Sequence, residues 1–327
     1  MPRIDLSLDE LWERREELPE PAGLDAFWDR TLAEAATVPL DVRIAPVETV
    51  LATVETYDVT YAGFGGHPVR AWLHLPAAAL RDDAPLPGVV QYQGYNGGRG
   101  LPHEHTFWAQ AGFAHLVMDT RGQGSGWTTG ETPDPVSGGP SQGGFLTRGL
   151  ESPEDHFYRR VFVDAVRAVE VLRGHAAVDA SRVAVTGHSQ GGGITLAVAA
   201  LSPHVVAAMP DVPFLSHFRR AVDISPGDPY AEVARYLGAH RGRTKQVFET
   251  LAHFDAALLG KRARVPALFS VAMMDTICLP STVFAAYHAY AGQKRIQVYE
   301  FNDHEGGGPF QARAQVLWLR AQLGSGT

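Results

Sequence analysis

The residue that stands out as a nucleophile is Ser189, in the stretch "TGHSQGGGI" of residues 186–194. A strand-like run, "RVAVTG", precedes the serine, and a helix-like run, "GGITLAVAALS", follows it. Gly-x-Ser-x-Gly in this context is typical of a nucleophile elbow, a strained turn that exposes the serine hydroxyl at the tip of a sheet. Gly187 and Gly191 fit that turn because a Cβ at either position would collide with the neighbouring strand or helix. The pattern predicts catalysis through Ser189.

The same glycines do not form a phosphate-binding loop. A P-loop requires Gly-x4-Gly-Lys-Ser/Thr, and no lysine follows this run. The spaced glycines of "RGQGSG", residues 121–126, come after a strand, but no helical pattern begins there, which argues against a dinucleotide fingerprint. The histidines of "HEH", residues 103–105, have no evident third ligand and are a weak metal signal. We therefore expect neither a cofactor nor a metal.

A serine hydroxyl needs a base to take its proton and an acid to orient that base. In hydrolases with a nucleophile elbow, the acid and then the histidine follow the serine along the chain. His304 in "NDHEGGG" comes after the strand-like "IQVYEF", on a glycine-rich loop that can bring the imidazole over the sheet. Asp275 follows another strand and precedes His304 by 29 residues. It is the first choice of acid, and Asp211, after the previous strand, is the alternative.

Two backbone N–H groups must stabilise the oxyanion of such a reaction. Gln190 follows the nucleophile at the start of a helix, where the helix dipole favours negative charge. The second donor is expected in "QYQGYNGGRG", residues 91–100, in which Tyr92 and Gln93 end a strand. The residues alone leave open which of these amides serves.

Strand-like and helix-like segments alternate from residue 88 onwards, after an antiparallel hairpin formed by "VETYDVTYAG" and "HPVRAWLHLP". This order predicts an α/β-hydrolase fold with a mostly parallel central sheet and helices on both faces. The helix after the first parallel strand is expected in "HEHTFWAQAG", residues 103–112. We predict one α/β-hydrolase domain over residues 1–327, with an N-terminal helical extension, 1–40, and a helical insertion before the acid-bearing strand, 211–262.

The composition argues against several classes of partner. The 327 residues carry a net charge of -8 and only short basic clusters, so a nucleic-acid-binding surface is not expected. Cys278 is the single cysteine, which excludes an intrachain disulfide. Residues 1–18 lack the apolar core of a signal peptide, and no run of about 18 apolar residues suggests a membrane helix. We expect a soluble cytoplasmic protein without a nucleic-acid or membrane partner.

Several segments in order along the chain resemble the acetyl xylan esterase/cephalosporin C deacetylase family, which is carbohydrate esterase family seven of the α/β-hydrolase superfamily. The segments are "QYQGYNGGRG", "MDTRGQGSGW", "FYRRVFVDAVRAVE", "GHSQGGGI", "DVPFLSHFRRAV", "ALFSVAMMDTICLPSTVFAAY" and "NDHEGGG". The resemblance runs from about residue 1 through the final helix. It implies a serine esterase that deacetylates small substrates, including short acetylated xylo-oligosaccharides and cephalosporin C, through an acyl-enzyme intermediate.

The resemblance also implies residue roles and an assembly. The roles are the nucleophile Ser189, the base His304, the acid Asp275 and the oxyanion donors Tyr92 and Gln190. The assembly it implies is a cytoplasmic hexamer whose active sites face a shared interior cavity.

The chain departs from the family at His188, where glycine is common, and in the loop of residues 122–147. Both lie near the site or the assembly surface. An α/β-hydrolase of another substrate class, a thioesterase or a peptidase, is the alternative function. A non-catalytic binding protein is disfavoured because all three members of the triad are present.

Overall fold

The computed structural model describes residues 3–324, and within them nine strands form one sheet in the order β1-β2-β3-β5-β4-β6-β7-β8-β9. The strands are β1 Arg43–Val47, β2 Val54–Ala62, β3 Pro68–Pro76, β4 Leu86–Tyr92, β5 Ala114–Met118, β6 Val178–His188, β7 Ala207–Asp211, β8 Ala267–Ala272 and β9 Lys294–Tyr299. The pairs β1–β2, β2–β3 and β3–β5 are antiparallel, whereas every pair from β5 to β9 is parallel. The predicted mostly parallel sheet is confirmed.

The helices are α1 Leu8–Glu13, α2 Leu24–Ala36, α3 Phe107–Gln110, α4 Phe157–Arg173, α5 Gln190–Leu201, α6 Phe218–Ile224, α7 Tyr230–Ala239, α8 Thr244–Ala252, α9 Ala256–Gly260, α10 Pro280–Ala289 and α11 Gly308–Gln322. They cover both faces of the sheet. Successive residues of a strand point to opposite faces, so neighbouring side chains pack against different helices. Val89 of β4 packs with residues of α3 and α11, whereas its neighbour Val90 joins the larger core that contains α4 and α5. None of the helices in residues 3–324 is both long and apolar enough to cross a membrane.

Two elements differ from the sequence prediction. The edge strand β1 was not expected, and its residues are almost all exposed, so they show no alternation of apolar and polar side chains. The helix expected over residues 103–112 forms only between Phe107 and Gln110. His105 has a φ of 52°, which interrupts a right-handed helix, and Gly112 has a φ of 90°, which ends it.

The N-terminal segment is anchored to the helices between β7 and β8. α1 begins with a capping box, in which Ser7 accepts from the Glu10 N–H and the Glu10 side chain accepts from the Ser7 N–H. In α2, the indole of Trp28 is buried and donates to the carbonyl of His253, just after α8, at 2.9 Å. Four helices, α6 to α9, lie between β7 and β8 and follow the strand end that carries Asp211.

Residues 122–153 lie in the connection from β5 to α4 and have almost no regular structure, and buried ion pairs with α4 fix this loop at its start and in its interior. Arg121 bonds both oxygens of Asp164 of α4, and Asp134 within the loop bonds Arg160 of the same helix at 2.8 Å. All four side chains are buried. Removing one partner of such a pair leaves an unpaired buried charge and costs about 3–5 kcal/mol. The loop is therefore a rigid wall beside the carboxyl ends of the strands.

Candidate active site

The serine elbow joins β6 to α5 at the carboxyl edge of the sheet. Ser189 has φ 58° and ψ -117°, a conformation that residues other than glycine rarely adopt. Three backbone hydrogen bonds hold it there: the Ser189 N–H donates to the Asp211 carbonyl at 2.9 Å, and the Ser189 carbonyl accepts from the N–H groups of Gly193 and Phe214. The surrounding backbone thus maintains the strained conformation of the elbow.

The glycines around the serine are required by close backbone contacts, as predicted. A Cβ on Gly187 would lie 2.4 Å from the backbone of Gly191, and a Cβ on Gly191 would lie 2.1 Å from the carbonyl oxygen of Tyr92. A Cβ on Gly192 would lie 2.7 Å from the carbonyl oxygen of Asp211 at the end of β7, and a Cβ on Gly193 would lie 2.3 Å from that of Phe214 just after it. The glycine run therefore lets the start of α5 pack directly against β4 and the β7–α6 connection.

The structure brings His304 and Asp275 together at the same edge. Asp275 lies in the turn after β8, and His304 in the loop after β9, so parallel neighbouring strands deliver both. The Nδ1 atom of His304 is 2.9 Å from Oδ2 of Asp275. The other carboxylate oxygen accepts from the N–H groups of Ile277 and Cys278, each at 2.8 Å. Asp275 is therefore fixed by the backbone and free to orient one imidazole.

The hydroxyl of Ser189 lies beside Cys278, with Oγ and Sγ 3.8 Å apart. In the described residues no hydrogen bond joins that hydroxyl to His304, a contact that in unliganded hydrolases is often long and tightens with substrate. Asp275, Cys278 and His304 offer ligand atoms within 4.8 Å of one another. However, burial raises the pKa of the Cys278 thiol, which keeps it protonated and a poor metal ligand. The geometry fits proton transfer better than metal binding.

The two predicted oxyanion donors are the N–H groups of Gln190, which begins α5, and of Tyr92, which ends β4. Gln190 is the first residue of α5, so its N–H has no partner within the helix. Its side chain is buried and bonded to Gln123 and to the hydroxyl of Tyr158 at 2.8 Å, which holds the turn. Tyr92, in contrast, is a buried ladder residue paired with Gly187, and its hydroxyl donates to a carbonyl of α4. That position does not favour Tyr92 as the second donor.

His188 and Asp211 lie beneath the imidazole of His304. The rings of His188 and His304 meet edge to face, with centroids 5.1 Å apart. Nε2 of His188 is buried and has no hydrogen-bond partner among the described residues. Burial lowers the pKa of His188, while the nearby Asp211 opposes that shift. Asp211 is bonded to the hydroxyl of Ser270, and burial raises its pKa. Asp275, not the alternative Asp211, is therefore the carboxylate bonded to His304.

A cavity of about 620 Å³ opens at the nucleophile. Its wall is built from the elbow, the turn after β4, the 122–153 loop, the start of α7 and the loops that carry the acid and the histidine. The lining residues are Gly94, Tyr95, Asn96, Trp127, Gln142, Gly143, His188, Ser189, Asp228, Pro229, Glu232, Ile277, His304 and Glu305. A cavity of about 660 Å³ between residues 18–22 and α8 contains none of the three triad residues, so we assign the chemistry to the former.

The sequence did not predict the hydrogen bond between the side chains of Tyr95 and Glu232, which both line this cavity. We call this contact the Tyr95–Glu232 tie. The Tyr95 hydroxyl donates to Glu232 at 2.7 Å and accepts from the Phe145 N–H at 2.8 Å, while Glu232 also accepts from the Gly144 N–H. Burial raises the pKa of Tyr95, so the hydroxyl stays protonated as this bonding requires. The tie joins the turn after β4, the 122–153 loop and α7 into one wall.

Comparison with known proteins identifies the family. The model of the acetyl xylan esterase (AXE1) family matches residues 1–322. The chain belongs to the acetyl xylan esterase family. It is accordingly a carboxylic ester hydrolase. The acetyl esterase Axe7A of Xylanibacter ruminicola is 26% identical to this esterase in an alignment of 313 residues that covers 93% of this chain and 67% of that protein.

Solved structures show the same relationship. An acetyl xylan esterase from Paenibacillus sp. R4 has a TM-score of 0.88 and 36% identity, covering 97% of this chain and 99% of that one. Acetyl xylan esterase 1 from Thermoanaerobacterium sp. JW/SL YS485 has a TM-score of 0.86 and 31% identity, covering 96% and 99%. An acylaminoacyl peptidase of Pyrococcus horikoshii, 13% identical with a TM-score of 0.56 over 90% of this chain and 42% of that one, shares the fold alone. The predicted α/β-hydrolase fold and the predicted esterase class are confirmed.

Proposed function

We propose that this esterase removes acetyl groups from small acetylated substrates through an acyl-enzyme intermediate, with Ser189 as nucleophile, His304 as base and Asp275 as acid. The observation that carries the proposal is the 2.9 Å bond from His304 Nδ1 to Asp275, beside a serine on a strained elbow. Short acetylated xylo-oligosaccharides and cephalosporin C are the proposed substrates. They follow from the resemblance of the motifs to carbohydrate esterase family seven.

Acylation begins when the Ser189 hydroxyl attacks the acetyl carbonyl carbon and its proton passes to Nε2 of His304. Asp275 accepts the Nδ1–H, which fixes the tautomer and stabilises the imidazolium. The tetrahedral intermediate then collapses: the bond from the carbonyl carbon to the alcohol oxygen breaks, and His304 returns the proton to that oxygen. Water, deprotonated by His304, attacks the acetyl-serine in the same way and releases acetate.

The oxyanion would receive hydrogen bonds from two backbone amides. The N–H of Gln190 is the first, because it heads a helix whose dipole also favours negative charge. We propose the amide of Tyr95 as the second, in place of Tyr92. Tyr95 lines the cavity, whereas Tyr92 lies in the β4–β6 ladder.

The surroundings of Ser189 support a short acyl group. The side chain of Cys278 is fully buried and lies 3.8 Å from the serine hydroxyl, and Ile277 adds an apolar surface to the cavity wall. Lengthening the acyl chain beyond acetyl therefore requires side chains beside the nucleophile to move. An overpacked position of this kind costs about 1–3 kcal/mol.

The test is a series of p-nitrophenyl esters together with labelling by a fluorophosphonate probe. We expect release of p-nitrophenol to be fastest from the acetyl ester and to fall steadily for the propionyl, butyryl and longer esters. Ser189→Ala should lose the label and reduce kcat by several orders of magnitude. Near-full activity of Ser189→Ala would disprove the mechanism. Faster turnover of an acetyl thioester or a blocked peptide would favour the thioesterase or peptidase alternative.

The cytoplasmic hexamer implied by the resemblance stays a prediction. Sedimentation velocity on the purified chain distinguishes a hexamer from a monomer or dimer. Fractionation of the source cells addresses the compartment.

A further inference from the structure

The wall of the cavity at Ser189 carries negatively charged side chains. Among the described residues, those that line the cavity include the carboxylates of Asp228, Glu232 and Glu305 but no lysine or arginine. Arg235 pairs with Asp228 at 2.7 Å at the exposed rim and neutralises that charge. Glu232 and Glu305 have no cationic partner within 4.0 Å in residues 3–324.

Glu232 is held by neutral donors. It is only 9% exposed and accepts hydrogen bonds from the Tyr95 hydroxyl, at 2.7 Å, and from the Gly144 N–H, at 2.8 Å. These groups fix the carboxylate in the cavity wall without cancelling its charge, and Arg148, the cation among the described residues that interacts with it electrostatically, forms no ion pair with it. An incoming substrate therefore meets that charge in a partly desolvated position, where Coulomb interactions are stronger than in water.

Glu305 adds a second charge beside the catalytic histidine. It follows His304 directly and accepts from the Asn302 side-chain amide at 2.9 Å and from the Asp303 N–H at 3.2 Å. The bond from Asn302 lowers the pKa of Glu305, so this carboxylate is ionised at neutral pH. Its position next to His304 places it close to the bond that is cleaved.

Trp127 supplies an aromatic surface to the cavity wall. Its indole N–H donates to the Tyr95 carbonyl at 2.9 Å, and a Cβ on Gly97 would lie 2.4 Å from the ring, so the ring is fixed against the turn after β4. The side chain is nevertheless 58% exposed. An exposed aromatic face attracts cations and has no such attraction for anions.

We propose that the cavity selects the alcohol portion of its acetyl ester by charge, favouring cationic over neutral alcohols and neutral over anionic ones. Neutral acetylated xylo-oligosaccharides should therefore be better substrates than cephalosporin C, whose alcohol portion carries carboxylates. The inference rests on the proposed deacetylation, since the acetyl group fills only the space at the nucleophile and the alcohol must occupy the rest. A substrate charge about 7 Å from one carboxylate, at an effective dielectric constant of about 40, changes kcat/KM roughly five- to tenfold. Glu232 and Glu305 act in the same direction.

The experiment compares three meta-substituted phenyl acetates of similar shape, whose substituents are trimethylammonio, tert-butyl and carboxylate. Each kcat/KM is divided by the rate constant for hydroxide-catalysed hydrolysis of the same ester, which removes differences in intrinsic reactivity. We expect the cationic ester to exceed its neutral isostere about tenfold and the anionic ester to fall about tenfold below it. Both gaps should shrink in about 0.5 M NaCl, because salt screens the exposed part of the field.

The double variant Glu232→Gln with Glu305→Gln should bring the three normalised values to within about threefold of one another. The neutral ester reports any loss of geometry, so the ratio of cationic to neutral ester isolates the charge effect. Glu249→Gln, an exposed carboxylate of α8 away from this cavity, should leave the ratio unchanged.

Equal normalised rates for the three esters, or a ratio that the double variant does not alter, would overturn the charge selection. Hydrolysis of all three esters by Ser189→Ala would instead overturn the proposed mechanism. The two failures are therefore distinguishable.

Discussion

His304 and Asp275 meet from loops that follow the adjacent parallel strands β9 and β8, with Nδ1 and Oδ2 2.9 Å apart. Asp211, at the end of β7, is bonded to Ser270 instead, and its main-chain carbonyl accepts from the Ser189 N–H. The two buried carboxylates near the site therefore do different things. Asp275 orients the imidazole of His304, whereas Asp211 helps to hold the serine elbow in place.

This difference predicts unequal effects of removing each charge. Asp275→Asn should lower kcat by about 10⁴, because an amide in place of the carboxylate favours the wrong imidazole tautomer. Asp211→Asn should lower kcat by less than about tenfold, since an amide oxygen can still accept from Ser270. Steady-state kinetics with p-nitrophenyl acetate at neutral pH compares the two. A larger loss for Asp211→Asn than for Asp275→Asn would contradict the assignment of the acid.

The sequence was sufficient to predict the parts of the site that follow from chain order. Ser189, Asp275 and His304 each lie no more than five residues after the end of a strand, and parallel strands bring such positions to one edge of the sheet. The tie between Tyr95 and Glu232 was not predictable in this way. It joins residues 137 positions apart, and neither residue type nor local spacing distinguishes it.

The sequence was least informative where the local pattern and the burial of the residues disagree. β1 lies at the sheet edge with exposed side chains and contains Pro46, so its residues lack the alternation that identifies a strand. Tyr92 ends a strand, as expected, but the cavity wall is formed by the turn just after it. A single sequence does not show how many residues after the end of a strand the chain turns toward the nucleophile.

The close contact at Gly191 predicts a large loss of stability on adding one methyl group. Gly191→Ala places a Cβ 2.1 Å from the Tyr92 carbonyl oxygen, so backbone of α5 or β4 must shift. Such overpacking costs about 1–3 kcal/mol and occasionally more. We expect a loss of at least about 3 kcal/mol in the free energy of unfolding, measured by urea denaturation, together with loss of esterase activity.

Gly238→Ala is the matched control, because Gly238 lies in α7 and a Cβ there has no atom within 4 Å. Alanine in a helix should raise the free energy of unfolding by about 0.5–1 kcal/mol at such a position. Equal effects of the two substitutions would mean that the elbow does not depend on the absence of a side chain at position 191.

The edge-to-face packing of His188 on His304 predicts that ring shape matters more than ring chemistry at position 188. His188→Phe keeps a ring against His304 and removes the buried, unpaired Nε2, so kcat should stay within about threefold and stability should not fall. His188→Gly removes the neighbour of the catalytic imidazole, and loss of positioning can cost up to about 10²-fold in kcat. A glycine variant as active as the native esterase would show that His188 does not position His304.

His156 is a buried residue away from the active site, and its burial makes the free energy of unfolding depend on pH. It caps α4 by accepting from the Tyr158 N–H, its Nε2 lies 3.2 Å from the Leu146 carbonyl, and its ring stacks on Phe254 at 4.5 Å. Burial lowers the pKa of His156 to about 3. An unfolded histidine, with a pKa of about 6.5, therefore binds a proton that the folded state does not. Stability should fall as the pH drops below about 6.5, down to about 3.

For this one group, the loss between about pH 7.5 and about pH 5.5 is about 1.4 kcal/mol in the free energy of unfolding. His156→Asn keeps an N-cap acceptor but cannot titrate, so its unfolding free energy should change less over that interval by about this amount. Urea denaturation at the two pH values measures the difference, and His103→Asn, at an exposed position, should leave the native pH dependence intact. If His156→Asn shows the same pH dependence as the native chain, other titrating groups are responsible for it.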